Sequence, residues 1–261
     1  MIEINKIYNE NCLDTMLKMP DDFIDLTVTS PPYDDLREYR GYSFDFENIA
    51  KELFRVTKQG GVVVWIVGDA TIKGSETGTS FKQALFFKEV VGFNLHDTMI
   101  YLKNQLAFPD KNRYYQGFEY MFVFSKEKPK VFNPIKDRKN VSTGRVVHGP
   151  ERKKDGGLRK IKACQGNITG EFGIRFNHWL IYNQKRGLNT KHPASFSEQL
   201  ANDHIISWSN KGDLVYDPMM GGGTTAKMAL LNNRNYIGSE ISKEYCEIAE
   251  KRIAEINSIG L

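Results

Sequence analysis

The chain has 261 residues, of which 40% are hydrophobic and 26% are charged, a composition typical of a globular protein with a sizeable core. No stretch approaches the roughly 18 apolar residues of a membrane span, and no basic flank with an apolar core opens the chain, so neither a membrane partner nor a secretion signal is expected. Cys12, Cys164 and Cys246 are odd in number and far apart, which predicts no metal site and favours a reducing, cytoplasmic setting.

The net charge of +4 is unevenly distributed along the chain. Residues 134–191 contain 14 Lys and Arg but 4 Asp and Glu, a net +10, so the rest of the chain must carry −6. A basic segment on an acidic body is typical of a protein with a polyanionic partner. The alternative is a solvated, flexible insertion.

The predicted elements alternate between strand and helix, with one interruption. In chain order, strands are predicted at 4–8, 25–29, 62–67, 95–101 and 119–124, and helices at 12–18, 45–57 and 81–91. The alternation resumes with helices at 197–208, 224–231 and 243–256 and strands at 214–216 and 236–239. This order predicts a doubly wound, mostly parallel α/β sheet for a domain of residues 1–133 and 191–261. Residues 134–190 are predicted to be an insertion of loops and short elements.

Two motifs each follow a predicted buried strand. Thr29-Ser30-Pro31-Pro32-Tyr33 comes early in the chain, and Asp217-Pro218-Met219-Met220-Gly221-Gly222-Gly223-Thr224-Thr225 comes late. If both strands lie in one parallel sheet, their carboxyl ends meet at the edge where open α/β sheets bind ligands. We therefore expect the two motifs to form one site.

The late motif has the pattern of a nucleotide cradle. Glycines let the backbone approach a ligand, and the helix that follows presents free amides. Glu240 lies 23 residues after Asp217, at the end of the next predicted strand, where a carboxylate can accept hydrogen bonds from ribose hydroxyls. Too little chain follows for a dinucleotide fold, so the remaining strands must come from the N-terminal half and the fold is circularly permuted. The alternative is a tight turn beside a surface glutamate.

The early motif suits chemistry on a planar amino group, whose lone pair is conjugated into its ring. Two acceptors aimed at its hydrogens would favour the tetrahedral geometry that nitrogen needs to attack a methyl sulfonium. The Ser30 hydroxyl and the Pro31 carbonyl can supply them, because Pro31 and Pro32 make the loop rigid and remove two N–H donors. Tyr33 can stack on a base that has been flipped out of a duplex. A rigid turn without catalytic role is the alternative.

These motifs, in this order, resemble those of the amino-directed DNA methyltransferases of the permuted beta class. The resemblance covers roughly residues 4–133 and 191–257 and implies a Rossmann-like methyltransferase fold, with S-adenosylmethionine as cofactor and residues 134–190 as the target-recognition region. It implies a catalytic loop made of Ser30, Pro31, Pro32 and Tyr33. It implies a cofactor site made of Asn11, Cys12, Thr29, Lys191, His192, Pro193, Ala194, Asp217, Pro218, Met219, Gly221, Gly223, Thr224 and Glu240, with Lys191 to Ala194 near the methionine end.

Two positions depart from the family pattern. Glu10-Asn11-Cys12 stands where the family often has a Gly-Asp-Cys-like segment, so Asn11 takes the place of an acid that would bind the adenine. Met219 stands where an aromatic residue usually follows Asp-Pro, and it could cover the cofactor as a flexible apolar side chain.

Serine at the start of the catalytic loop resembles the cytosine-N4 enzymes of this family, whereas its adenine-N6 enzymes more often have aspartate there, so the resemblance implies cytosine-N4 as the target by a narrow margin. Cytosine-C5 chemistry is not expected, because it needs a nucleophilic cysteine, usually after proline, and no cysteine here follows proline. An RNA or small-molecule methyltransferase, and a DNA-binding protein that has lost catalysis, are the alternatives.

Duplex DNA is the expected partner of the insertion, and a second copy of the chain and a cognate restriction endonuclease are further candidate partners. The residues predicted to contact DNA are Arg145, Arg152, Lys153, Lys154, Arg159, Lys160 and Lys162.

Overall fold

The computed structural model describes residues 2–32, 44–103, 111–147, 150–160, 166–181 and 197–258. The chain divides into two compact units. One consists of Met1–Asn133 with Asn177–Leu261, and the other of Pro134–Phe176. Among the described residues, no helix has the length and apolar character needed to cross a membrane.

The elements of the described chain follow the predicted alternation. The strands are β1 (Lys6–Tyr8), β2 (Ile24–Thr29), β3 (Thr57–Val67), β4 (Thr71–Ile72), β5 (Ser75–Glu76), β6 (Asn94–Lys103), β7 (Phe118–Ser125), β8 (Arg138–Lys139), β9 (Pro150–Arg152), β10 (Leu158–Lys160), β11 (Phe172–Gly173), β12 (His178–Ile181), β13 (Leu214–Asp217) and β14 (Asn235–Ser239). The helices are α1 (Cys12–Leu17), α2 (Phe46–Val56), α3 (Thr79–Leu85), α4 (Glu198–Trp208), α5 (Thr224–Leu231) and α6 (Lys243–Ser258).

Eight strands form one sheet in the order β1-β14-β13-β2-β3-β7-β6-β12. β7 is antiparallel to both of its neighbours, and the other pairs are parallel. From β2 the chain moves outward to β3, whereas from β13 it moves the other way to β14. The strand order therefore reverses between β13 and β2, and such a switch point leaves a crevice at the carboxyl ends of its strands.

Helices pack on both faces of this sheet, as the doubly wound prediction requires. Alternate residues of β3 enter different cores, because successive side chains of a strand point to opposite faces. Val62, Val64 and Ile66 pack in the core that contains α4, α5 and α6. Val63, Trp65 and Val67 pack in the core that contains α1, α2 and α3. The fold is thus the predicted α/β sheet, and β13, the strand that precedes the glycine loop, comes late in the chain.

Two local features differ from the prediction. The predicted helix at 81–91 is α3 followed by a π-helical segment, Phe86–Val91, which ends at Gly92 with φ of +100°. β3 begins at Thr57, the last residue of the helix predicted at 45–57, and it extends through Gly60 and Gly61 ahead of the strand predicted at 62–67. A Cβ at Gly61 would lie 2.9 Å from the Lys58 carbonyl oxygen, so the close approach of neighbouring backbone needs glycine there.

The unit Pro134–Phe176 is built from short antiparallel pairs, β8 with β11 and β9 with β10. It ends earlier than the predicted boundary at 190, because His178–Ile181 forms β12 and pairs with β6 of the large sheet. Alternate side chains of β12 are buried, as expected for a strand of the large sheet: Trp179 and Ile181 are buried, and Leu180 between them is exposed. Residues 182–190 lie outside the described chain.

Candidate active site

The two motifs meet at the switch point of the sheet. β2 and β13 are adjacent and parallel, with Val215 opposite Leu26 and Tyr216 opposite Thr27. At the carboxyl ends of these strands the Thr29 hydroxyl donates a hydrogen bond to Asp217 Oδ1 over 2.7 Å. The prediction that both motifs lie at one edge is therefore confirmed.

Asp217 is buried, and its carboxylate organises the junction. Oδ1 also accepts from the Met219 backbone N–H at 3.0 Å, and Oδ2 accepts from the Thr225 hydroxyl at 2.8 Å. Burial raises the pKa of Asp217 to about 6, and the hydrogen bonds from Thr29 and Thr225 partly oppose that rise. Both oxygens thus bind groups of the protein itself, and a direct contact of this carboxylate with the cofactor stays a prediction.

The glycine loop depends on backbone conformations that favour glycine. Gly221 and Gly223 have φ of +52° and +80°. A Cβ on Gly223 would lie 2.7 Å from the Cβ of Ala249 on α6, so the loop and this helix approach too closely for a side chain. Gly238 on β14 is less constrained, since its Cβ would lie 2.3 Å from the terminal methyl of the Met220 side chain, which can move, and no backbone atom is among its nearest neighbours.

Glu240 lies beside this loop, as predicted. Its Oε2 accepts from the Gly221 N–H at 2.8 Å, and its Oε1 accepts from the Ser242 N–H at 2.8 Å. Burial raises the pKa of Glu240, and these backbone donors partly oppose that rise. Each carboxylate oxygen has a second lone pair with which it can accept a ribose hydroxyl. The expected ribose contact stays a prediction, and the geometry is compatible with it.

The segment after β1 has a capping role in the described structure. Asn11 Oδ1 accepts from the Leu13 N–H at 2.9 Å and so caps α1. Cys12 is buried, which raises the pKa of its thiol to about 12. Burial likewise raises the pKa of Cys246 to about 12. Neither thiol can supply a nucleophilic thiolate at neutral pH, and Cys164 lies outside the described residues.

The predicted catalytic loop is described as far as Pro32. Pro31 is buried, whereas Ser30 and Pro32 are half-buried, at the end of β2. Tyr33 and Lys191 to Ala194 were also predicted site residues, and they lie outside the described residues. Of the remaining cofactor candidates, Pro218 and Thr224 are buried and Met219 is half-buried against the core that contains α1, α2 and α3.

The basic residues of the insertion include exposed side chains as well as side chains with contacts inside this unit. The described side chains of five predicted DNA contacts are exposed: Arg145, Arg152, Lys153, Lys154 and Arg159. Lys160 ends β10, and Lys162 lies outside the described residues. Arg175 makes an ion pair with Asp137, and the Arg138 guanidinium lies 4.8 Å from the ring centre of Phe176. These two arginines therefore stabilise the unit itself.

Sequence reasoning did not single out Thr225 or Arg252 as site residues. Thr225 binds Asp217, and Arg252 on α6 donates to the carbonyl of Gly222. Thr225 was recognisable as a hydroxyl directly after a glycine loop. Arg252 carries no motif, and its contact depends on how α6 packs.

An open, doubly wound sheet with this glycine loop at its switch point, and with Ser-Pro-Pro directly after the adjacent strand β2, defines the class of S-adenosylmethionine-dependent α/β methyltransferases. Residues 24–251 match the DNA methylase family of N6 and N4 methyltransferases. The chain belongs to this family, and it is an S-adenosylmethionine-dependent enzyme that methylates amino groups in DNA.

Individual relatives agree with this assignment. The chain is 64% identical to the orphan methyltransferase M.BamHII of Bacillus amyloliquefaciens over 88% of each protein. It is 27% identical to the type II methyltransferase M.BglII of Bacillus subtilis, over 94% of this chain and 68% of that protein.

Solved structures share the fold at low sequence identity. The cytosine-N4-specific PvuII DNA methyltransferase superposes with a TM-score of 0.71 at 20% identity, covering 99% of this chain and 92% of that one. The M1.HpyAVI complex with S-adenosylmethionine superposes with a TM-score of 0.63 at 23% identity, covering 95% of this chain and 98% of that one.

Proposed function

We propose that this enzyme methylates the exocyclic amino group of one flipped base within a specific site in duplex DNA, with cytosine-N4 favoured over adenine-N6. The observation that carries the proposal is the hydrogen bond between Thr29 and Asp217. It ties the Ser-Pro-Pro loop to the glycine loop at the switch point, so that an amino group and a methyl donor bound there would be neighbours.

The glycine loop and Glu240 beside it have the chemistry that binding of S-adenosylmethionine requires. Bound S-adenosylmethionine supplies an electrophilic methyl group. The backbone of Gly221 to Gly223 would lie against it, because these positions have no side chains to keep a ligand away. Glu240 would accept the ribose hydroxyls, and Asn11 would reach the adenine. Lys191 to Ala194 would bind the methionine end.

The catalytic loop would act on the target base. The Ser30 hydroxyl and the Pro31 carbonyl would accept hydrogen bonds from the two amino hydrogens and favour a tetrahedral nitrogen with an available lone pair. Tyr33 would stack on the flipped base. Thr29 and Asp217 would hold the start of this loop, since their hydrogen bond is buried and joins two adjacent strands.

The choice of base rests on Ser30. Serine at this position resembles the cytosine-N4 enzymes of the family, and this feature favours cytosine-N4 over adenine-N6 by a narrow margin. The PvuII enzyme is cytosine-N4-specific, but at 20% identity its likeness supports the fold and not the choice of base.

Binding of duplex DNA is assigned to the exposed basic residues of Pro134–Phe176. Arg152, Lys153 and Lys154 lie at the end of β9 and in the turn that leads to β10, and all three are exposed. Such cations would neutralise phosphates and hold the duplex without reading its sequence. Self-association and a cognate restriction endonuclease stay predictions.

The proposal is tested by analysing the methylated product. The purified enzyme and radiolabelled S-adenosylmethionine are incubated in three separate reactions, with duplex DNA, with single-stranded DNA and with RNA. Each product is digested to nucleosides that are separated by chromatography. Label in N4-methylcytosine of the duplex supports the proposal. Label in N6-methyladenine of the duplex would show that the target is adenine-N6 and not cytosine-N4.

The alternatives predict other outcomes. Label confined to RNA would assign a different substrate to the same core. Binding of cofactor and DNA without any labelled nucleoside would indicate a DNA-binding protein that has lost catalysis.

A further inference from the structure

A polar network lies behind the glycine loop, on the side of α6. Arg252 Nη1 donates to the buried carbonyl of Gly222 and lies 3.4 Å from the Thr224 hydroxyl oxygen. Arg252 Nη2 donates to Glu198 Oε1 at 2.8 Å. The guanidinium therefore joins the middle of the loop to the first residue of α4.

Glu198 is the anchor of this network. Its Oε1 also accepts from Lys227 Nζ of α5 at 2.6 Å, so one carboxylate oxygen connects α4, α5 and α6. Burial raises the pKa of Glu198, but the hydrogen bonds and charges of Lys227 and Arg252 outweigh that effect and leave the pKa below its ordinary value. The Glu198 side chain is 42% exposed, so these ion pairs contribute little to overall stability.

The loop itself needs external restraint. Three consecutive glycines have no side chains to pack, and their peptide groups can rotate more freely than those of other residues. The structure holds this segment at successive points. The Gly221 N–H binds Glu240, the Gly222 carbonyl binds Arg252, and the Gly223 N–H donates to the Met220 carbonyl at 3.0 Å. Arg252 is the contact that reaches the loop from α6.

We infer that Arg252, anchored by Glu198, is a positioning residue that holds the glycine loop in the conformation that binds the cofactor. The guanidinium suits this task because its planar fork can donate to a carbonyl and a carboxylate at once. Its hydrogen bonds go to the Gly222 carbonyl and to Glu198, so it would act on the cofactor through the orientation of the Gly222–Gly223 peptide. The inference rests on the proposed assignment of the glycine loop to the cofactor.

Glu198 gives the network a second connection to the same site. It lies four residues after Ala194, the end of the segment predicted to bind the methionine end of the cofactor. A change at Glu198 would therefore affect the start of α4 and the glycine loop together.

The test compares Arg252→Met with Arg252→Lys and with Lys251→Met. Arg252→Met removes the guanidinium group but keeps most of the side-chain length. The second keeps the charge but cannot donate in two fixed directions, and the third removes a charge from an exposed neighbour on α6. Calorimetry gives the dissociation constant for S-adenosylmethionine. Steady-state kinetics at saturating DNA gives kcat and KM for the cofactor, and thermal melting reports folding.

Loss of a hydrogen bond to a charged group predicts that Arg252→Met raises the dissociation constant and KM for the cofactor by roughly 10-fold or more. kcat at saturating cofactor should change less than about two-fold, since the catalytic loop is untouched. Arg252→Lys should recover part of the affinity, and Lys251→Met should match the parent. Glu198→Gln should weaken binding in the same direction, because it loosens the anchor.

Unchanged cofactor affinity in a folded Arg252→Met protein would overturn the inference. If that variant does not fold, Arg252→Lys and Glu198→Gln decide the question by the same constants, and parental affinity in both would overturn it. The loop assignment is checked separately with Gly221→Val. If Gly221→Val also leaves affinity unchanged, the assignment of the loop to the cofactor has failed. If Gly221→Val loses affinity and Arg252→Met does not, only the positioning role has failed.

Discussion

Replacing Gly223 with alanine tests the close approach on which the glycine loop depends. Gly223 has φ of +80° and lies directly before α5. An added Cβ would lie 2.7 Å from the Ala249 Cβ and 3.0 Å from its Cα, which belongs to the backbone of α6. Backbone cannot move aside as a flexible side chain can, so the loop and the helix must separate.

The expected cost has two parts. A left-handed conformation costs an alanine about 1–2 kcal/mol. Overpacking against a fixed backbone adds typically about 1–3 kcal/mol, so the total should be about 2–5 kcal/mol of unfolding free energy. The matched control is Gly212→Ala, where φ is +87° but nothing lies within 4 Å of the added Cβ. Gly212→Ala should therefore lose only the unfolding free energy that the left-handed conformation costs, about 1–2 kcal/mol.

Urea unfolding measures the two free energies, and calorimetry measures the affinity for S-adenosylmethionine. Gly223→Ala should lose more stability than Gly212→Ala and should bind the cofactor more weakly, because its loop is displaced from α6. Equal losses in the two variants would show that the packing against Ala249 is not tight. Parental cofactor affinity in a folded Gly223→Ala protein would refute the placement of the cofactor at this loop.

The remaining predictions concern the catalytic loop, the buried acid and the insertion. Ser30→Ala should slow single-turnover methylation about 100- to 1000-fold with cofactor affinity intact, and a parental rate would mark Ser30 as a turn residue. The pKa of Asp217 rises from 3.8 to about 6 on folding, so its stabilising contribution is present below pH 3.8 and lost as pH rises through about 6. Urea midpoints for Asp217→Asn should therefore vary less with pH across that interval than those of the parent, and matching curves would contradict the raised pKa. Replacing Arg152, Lys153 and Lys154 with glutamine should weaken DNA binding and reduce its salt slope by about one per lost phosphate contact. An unchanged slope would mean that this cluster is merely solvated.

The sequence alone was sufficient for the features that are encoded locally. The run Val62 to Val67 predicted a strand buried on both faces, and the structure divides those residues between two cores. Thr224–Leu231 is a helix with the predicted bounds, because a glycine turn and a helical apolar pattern delimit it within a few residues. The glycine loop was likewise recognisable, because close backbone approach restricts the residue types, and Glu240 lies beside the loop as its spacing predicted. The contact of Glu240 with a ribose stays a prediction.

The tertiary structure decided what depends on the order and register of the strands. Thr29 and Asp217 are 188 residues apart, and their hydrogen bond exists because β2 and β13 are neighbours at the switch point. Arg252 reaches Gly222 only because α6 packs behind the loop, and β12 joins the large sheet although its sequence follows a basic insertion. Periodicity defines which face of a strand or helix is buried, but it does not specify which distant element will cover that face. The two loops could thus be recognised from the sequence, and their chemistry predicted, whereas their connection through buried hydrogen bonds required the folded chain.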